Sequence, residues 1–392
     1  MHLTRDELRA LAREAGLTLV AVTTAEPFPG LADLLRARIR TGFLQGMEWF
    51  NEQRAEVAAD PRNLHRTARS IISVGLPYWL PDIQPPDDGI VRGRIARYAW
   101  GLDYHRVLRH RLQRLHQLLE ARLGRRIEAR YLVDTARIVD REVAVRAGLG
   151  WQGKNTMVIV PHHGSWVLLA ELVVDIDLEP DEPLRPRCGR CRRCLDACPT
   201  GAFVGPYALY APRCISYLTI EHRGPIPWEL RPLIGNWVFG CDICQEVCPY
   251  TAAAQPTDEE VVRPERLEHC YPSLEWLLRM TEEEFRSVYR GRPVLRAKRA
   301  GLARNAAVAL GNVGDARHLE TLEEAVLGHD QPLVRSHAAW AMARIDFALS
   351  EPVLRRAHDR EIDPLAREEL ERLLLSPPEP LSQSSVVLPQ SR

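Results

Sequence analysis

The spacing of apolar positions changes character twice along the chain. Up to about residue 180, helical periodicity alternates with short apolar runs; four of these, LTLVAV, SIISVGL, ARYLVD and WVLLAELVVDIDL, are β-branched and bounded by turn residues. They predict strands, since a buried strand needs only a brief apolar run. Residues 103 to 124, DYHRVLRHRLQRLHQLLEARLG, carry leucines at helical spacing and end in glycine, which predicts a helix. The N-terminal MHLTRDELRALAREAGLTLVAV predicts a short amphipathic helix running into the first strand. GLGWQG at 148–153 has the G-x-G-x-x-G spacing but does not directly follow a predicted strand, so a dinucleotide site of that kind is not expected.

The second change comes at residues 181 to 256, a cysteine-rich insert between two stretches of linker composition, EPDEPLRPR and AAAQPTDEE. Beyond it the pattern is helical. AAVAL at 306–310 and AAWAM at 338–342 stand 32 residues apart, each on a small-residue helix face. Two units at that period predict a short HEAT-like repeat, with a plain helical bundle as the alternative. From Ser376 the tail SPPEPLSQSSVVLPQSR has the composition of disorder. The expected fold is α+β and multidomain: an α/β domain at 1–180, a ferredoxin-like domain at 181–256, helical repeats at 257–375 and a tail at 376–392.

Composition narrows this. Aliphatic, aromatic and sulfur residues make 45% of the 392 positions and charged residues 27%, as in ordinary soluble proteins. Lys plus Arg equals Asp plus Glu at 52 each, so no global positive field points to a nucleic-acid partner. The first residues lack the apolar core of a secretory signal and any twin-arginine pair. No window is long and apolar enough to predict a membrane span. Nine cysteines are present and eight crowd between 188 and 248, which favours metal over disulfides.

Cys188, Cys191, Cys194 and Cys198-Pro199 fit the C-x2-C-x2-C-x3-C-P run, whose fourth cysteine ligates the other cluster in two-cluster ferredoxins. Cys241, Cys244 and Cys248-Pro249 form a second, shorter run. Two 4Fe-4S cubes then divide the ligands: Cys188, Cys191, Cys194 and Cys248 for one, and Cys198, Cys241 and Cys244 with the intervening Cys214 for the other. Zinc or unrelated core cysteines are the competing readings, and neither explains the two prolines. Cys270 is left over as a buried thiol. Arg185, Arg187, Arg190, Arg192 and Arg193 frame the first run, where they would favour a reduced cluster, receive a polyanion, or form a solvated loop.

VDTARIVDREVAVRAGLGWQGKNTMVI, HHGSWVLLAEL, CISYLTIEHRG, NWVFGCDICQEVCPY and LARNAAVALGN, with the first cysteine run, together resemble epoxyqueuosine reductases. The resemblance runs from about residue 10 to 345. It implies a cytoplasmic enzyme that uses cobalamin and two 4Fe-4S clusters to remove the epoxide oxygen of epoxyqueuosine at the wobble position of tRNA. It also implies a nitroreductase-like, corrinoid-binding first domain. This chain has DTARIVDR where the family commonly has DTAPVLER, so Arg137 and Asp140 are atypical.

The resemblance supplies cobalamin as the centre that collects two electrons, and implies a base-off form without a histidine ligand. DYHRVL nearly meets the D-x-H-x-x-G motif of histidine-ligated cobalamin but has Leu108 for glycine, so His105 is read as a structural helix residue. Asp134 ends the run ARYLV and matches the family's proton donor; burial against a corrin would raise its carboxyl. An N-cap for the following helix is the competing reading. Ser216 and Asp242 neighbour cluster ligands and are expected cofactor contacts. GLGWQGKNT offers Gly148, Gly150 and Gly153 for close approach, with Lys154 and Asn155 as donors, and Arg97 is a further candidate.

For tRNA, RPVLRAKRAGLAR has five basic residues and no acid, giving Arg292, Arg296, Lys298 and Arg299 as candidates, joined by Arg223 and Arg231 between the cluster ligands. An external low-potential electron donor and a monomeric state complete the expectation. Reductive dehalogenases, which share a corrinoid and twin clusters, and a non-catalytic ferredoxin-type carrier are the rival readings.

Overall fold

The computed structural model describes residues 3–381. They form two compact units, each assembled from separated stretches. Met1–Pro81, Gly101–Pro212 and Ile243–Arg263 make the first; Asp82–Trp100, Arg213–Asp242 and Pro264–Arg392 make the second. This differs from a contiguous division at 180, 256 and 375. Linker composition marks where the chain turns, not which stretch packs on which. The cysteine-rich segment is therefore shared: Cys214 and Cys241 belong to the second unit and the other six of that segment to the first. From residue 382 the expected disordered tail lies outside the described residues.

The core of the first unit is a four-stranded sheet of β1 (Leu19–Thr24), β2 (Ser70–Pro77), β3 (Ala129–Val133) and β4 (Val167–Val174), in the order β1-β2-β4-β3. All three pairings are antiparallel. Each predicted strand is present, but the sheet is not the parallel one that an α/β reading assumes. Asp134 still follows β3 directly, without the strand-end rule of parallel sheets to place it.

One face of the sheet carries Ile71, Leu132 and Val173 into a cluster with Leu31, Leu35, Ala55, Ala58 and Val143. Here the sheet meets the helices Leu31–Arg40 and Glu52–Ala59 and the short helix Asp140–Arg146. Beside it, Ala21, Ala144, Ala147, Val158 and Val167 form a second cluster under the same short helix. The predicted long helix is Tyr104–Leu123: Asp103 caps it by accepting from the His105 N–H, and Gly124 ends it at φ 66°. Leu108, Leu112, Leu115 and Leu119 are fully buried, the spacing of one helix face.

In the second unit, helix α1 (Lys298–Val313) packs against α2 (Pro332–Ile345). Gly311 permits that approach, because a Cβ there would stand 2.6 Å from the Trp340 ring. Three polar residues of α1, Arg304, Asn305 and Asn312, turn inward. Arg304, 1% exposed, donates to the carbonyls of Leu218, His222 and Gly224 at 2.6, 2.9 and 2.8 Å. Asn305 binds the carbonyls of Thr219 and Val238, and Asn312 those of Arg231 and Gly235. The segment from 218 to 238 has little regular structure, so these side chains satisfy its backbone acceptors. No helix among the described residues is long and apolar enough to cross a membrane.

Candidate active site

In the first unit, the loop Cys188 to Cys194 and the segment around Cys248 enclose one pocket lined by Cys188, Cys191, Cys194, Cys248, Lys154, Asn155, Arg193 and Tyr250. Burial raises the Cys194 thiol, and the nearby sulfurs of Cys248, Cys188 and Cys191 raise it further. Thiols that repel one another in this way ionise together only around a cation. Among the described residues, no three His, Cys, Asp or Glu side chains are arranged to hold a single metal ion. Four sulfurs around one space suit a larger guest, and a cubic cluster with four thiolates fits them.

Lys154 and Asn155 brace the cysteine loops from within. The Lys154 ammonium donates to the carbonyls of Gly189 and Cys191 at 2.7 and 2.9 Å, which braces the first cysteine loop and leaves a positive charge beside the sulfurs. Asn155 is 3% exposed; its amide donates to the Cys244 carbonyl and its oxygen accepts from the Met157 N–H. Two of the three Lys154 ammonium N–H groups and one of the two Asn155 amide N–H groups are committed to these carbonyls. The glycines of the same loop also serve the protein's own packing: a Cβ at Gly148 would lie 2.2 Å from the Glu182 oxygen, and one at Gly150 2.5 Å from that of Ile159.

Asp134 has a backbone φ of 45°, a left-handed conformation tolerated by Asp. It does not cap a helix, because the next one begins at Asp140. Arg54 holds the segment that follows, donating to the Thr135 and Ala136 carbonyls while lying 4.8 Å from the Trp49 ring centre. The Asp134 carboxylate accepts from the Tyr104 hydroxyl at 2.7 Å and faces His105 Nε2 at 3.2 Å. The other ring nitrogen of His105 pairs with Asp103 at 2.8 Å, and the Tyr104 and His105 rings stack at 4.2 Å.

This arrangement reverses the expected direction of the Asp134 carboxyl. Burial acts to raise it, but the hydrogen bonds from His105 and Tyr104 outweigh burial and hold it below its ordinary value. For His105, burial opposes the charged ring, yet Asp103 and Asp134 together push it up to about 9. The proton at neutral pH therefore sits on the imidazole, hydrogen-bonded to a carboxylate. Reading His105 as a structural residue missed half of this pair. The sequence offered one clue, an Asp-x-His at a helix start; the partner 29 residues further on could not be read from spacing.

The remaining candidates are placed as follows. Arg97 and Asp242 lie in the second unit and bind each other: the Asp242 carboxylate accepts from the Arg97 N–H at 2.8 Å, and its guanidinium also pairs with Asp82. At 5% and 1% exposure they form an internal ion pair. Ser216 is half-buried in the helix Ile215–Ile220. Arg231 is fully buried and bidentate to Glu369, and Arg292 is 4% exposed and bound to the Trp100 carbonyl and Glu265; both are removed from a phosphate-binding surface. Arg223 donates to the carbonyls of Arg296 and Ala297. Arg299 pairs with Asp330 and Arg296 with Glu221, while Lys298 is exposed. Cys270 is fully buried, its thiol pushed up to about 12 by burial.

A mixed α+β unit with a cysteine-lined pocket and a unit of paired helices define an iron-sulfur oxidoreductase carrying a helical repeat. Comparison with known families agrees: residues 187–251 match the 4Fe-4S double cluster binding domain and residues 293–375 match HEAT repeats. Residues 59–135 match the family described as "Epoxyqueuosine reductase QueG, DUF1730". The chain belongs to the epoxyqueuosine reductase family. It is 39% identical over 340 residues to the epoxyqueuosine reductase of Xanthomonas campestris, covering 86% of this chain and 95% of that one. It is 36% identical over 370 residues to that of Bacillus subtilis, covering 94% of each. Among solved structures, an epoxyqueuosine reductase with an epoxyqueuosine-modified tRNA-Tyr stem loop matches with a TM-score of 0.88 at 36% identity, covering 95% of this chain and 98% of the other.

Proposed function

We propose that this chain reduces epoxyqueuosine in tRNA to queuosine, with Asp134 delivering a proton to the departing epoxide oxygen. The reading is supported by the Asp134 carboxylate, half-exposed at 55%, hydrogen-bonded to Tyr104 and ion-paired with His105. An oxygen leaving carbon needs a proton, and a carboxylate in contact with an imidazolium can relay one. In this role Asp134 touches the substrate, while His105 positions it and stores the proton.

Two electrons are required, and a double-cluster domain can pass them singly from an external low-potential donor. We assign Cys188, Cys191, Cys194 and Cys248 to one cluster and Cys198, Cys214, Cys241 and Cys244 to the other. Cobalamin, when bound, supplies a centre that delivers the two electrons as a pair. We propose a base-off form without a histidine ligand; the pairing of His105 Nδ1 with Asp103 and the 3.2 Å approach of Nε2 to Asp134 support it. Asp134 of the first unit and Ser216 of the second are the contacts we propose for it.

For tRNA we assign the exposed surface at Lys298 and Arg296, with Arg223 and Arg299 holding that segment in place. We place the enzyme in the cytoplasm as a monomer, with the first unit serving as a nitroreductase-like, corrinoid-binding scaffold. Conversion of epoxyqueuosine tRNA by the anaerobically reconstituted protein, compared with Asp134→Asn, tests the assignment. The variant keeps its iron and loses about 10²- to 10⁴-fold in rate, the usual contribution of a general acid. An undiminished rate would remove Asp134 from the chemistry.

A further inference from the structure

The proton relay above leaves one buried acid unexplained. Glu171 sits in the middle of β4, directly across from Ser73 on β2 and Leu132 on β3. Alternation along β4 puts it on the face of Val167, Leu169 and Val173, between the two apolar clusters and under the helix Asp140–Arg146. It is completely buried, and neither carboxyl oxygen receives a hydrogen bond from a donor. Its polar neighbour is the carboxyl of Asp140, whose Oδ1 is also shielded and without a donor, although Asp140 as a residue is half-buried. Ser73 Oγ, fully buried, has no partner either.

Two adjacent carboxyls, neither of them in an ion pair and one wholly buried, cannot both be ionised in such surroundings. The charged groups that reach them are Asp134, which disfavours ionisation of both, and the guanidiniums of Arg141 and Arg54, which favour it for Asp140. Arg141 is itself drawn toward Thr156, whose carbonyl and hydroxyl accept from it at 2.9 and 3.2 Å. Burial raises both acids, Glu171 the more strongly. One proton shared by the pair resolves the arrangement. It also gives the orphaned oxygens a donor.

Chemistry supplies a use for that proton, on the reading of the chain as an epoxide reductase. Breaking both C–O bonds to leave a carbon-carbon double bond releases the oxygen as water. This consumes two electrons, supplied by the one-electron donor through the clusters, and two protons. His105 with Asp134 holds one proton. We propose that Glu171 and Asp140 hold the second, and that Asp140, half-buried between Glu171 and the Asp134 segment, passes it to Asp134 once the first has been given. Both stores refill from solvent.

The test uses the full reconstituted chain and two readouts. Infrared difference spectra between wild type and Glu171→Gln at pH 7 should show the C=O stretch of a protonated, buried carboxylic acid in the wild type alone. Asp140→Asn should shift that band without abolishing it, which guards against a variant that merely misfolds. Conversion of epoxyqueuosine tRNA by Glu171→Gln should be slowed about 10-fold or more in kcat, with KM for tRNA unchanged. A wild type without the band, as when a bound cation neutralises two carboxylates, overturns the proposal; so does a Glu171→Gln enzyme of full kcat. A wild type that shows the band but makes no queuosine overturns the functional reading instead.

Discussion

His105 binds two carboxylates through its two ring nitrogens, and this fixes how the site responds to pH. A ring raised to about 9 keeps its stabilising contacts whole below its ordinary value near 6.5 and loses them as pH rises through 9. The opposite sign applies to Asp134, whose lowered carboxyl keeps its contacts above the ordinary carboxylate range and loses them in acid. NMR of the labelled imidazole should therefore show titration near 9 in the wild type and a clear fall toward 6.5 in Asp134→Asn; a wild-type value already near 6.5 would contradict the pairing. A carboxylate in contact with an imidazolium is also a better relay than an isolated raised acid, because its proton returns from a neighbour already in place.

At the scale of elements, the strands and the long helix were readable because each carries its signal locally: β-branched runs bounded by turns, and leucines at 108, 112, 115 and 119 between Asp103 and Gly124. Their assembly was not. Antiparallel order β1-β2-β4-β3 depends on pairings across distant sequence, and the interleaving of the two units leaves no compositional mark. The cysteine run was legible because its ligands lie three residues apart, whereas Lys154, expected to face a cofactor, is committed to loop carbonyls that sequence cannot display. Glu171 was hidden inside an apolar strand for the same reason. Arg304 shows the cost of disturbing such internal bonds: Arg304→Ala removes the donor from three buried carbonyls and should lower the unfolding free energy by about 3 kcal/mol, read from urea denaturation. Arg304→Lys should recover little, since one ammonium cannot span the positions that a guanidinium reaches. Equal stability of Arg304→Ala and wild type would refute this role.

For the whole molecule, an even balance of charge means that tRNA affinity must come from local groups. Of the six basic residues, two are buried and three are tied to carbonyl or acidic partners, Arg296 among them through Glu221; Lys298 and Arg296 are the two that are exposed, and they carry the proposed surface. Reversing both to Glu should weaken binding of a tRNA stem loop and flatten its salt dependence by about two units of log-log slope; unchanged slope would move the surface elsewhere. Electron flow and tRNA chemistry meet in a single stoichiometry. The most direct measurement counts both in one anaerobic vessel: the reconstituted protein is reduced, mixed with epoxyqueuosine tRNA, and followed by cluster absorbance and by nucleoside mass. The account predicts one nucleoside lighter by one oxygen for every two electrons withdrawn from the clusters. Clusters that reoxidise while the nucleoside mass stays unchanged would contradict it and leave an electron carrier in its place.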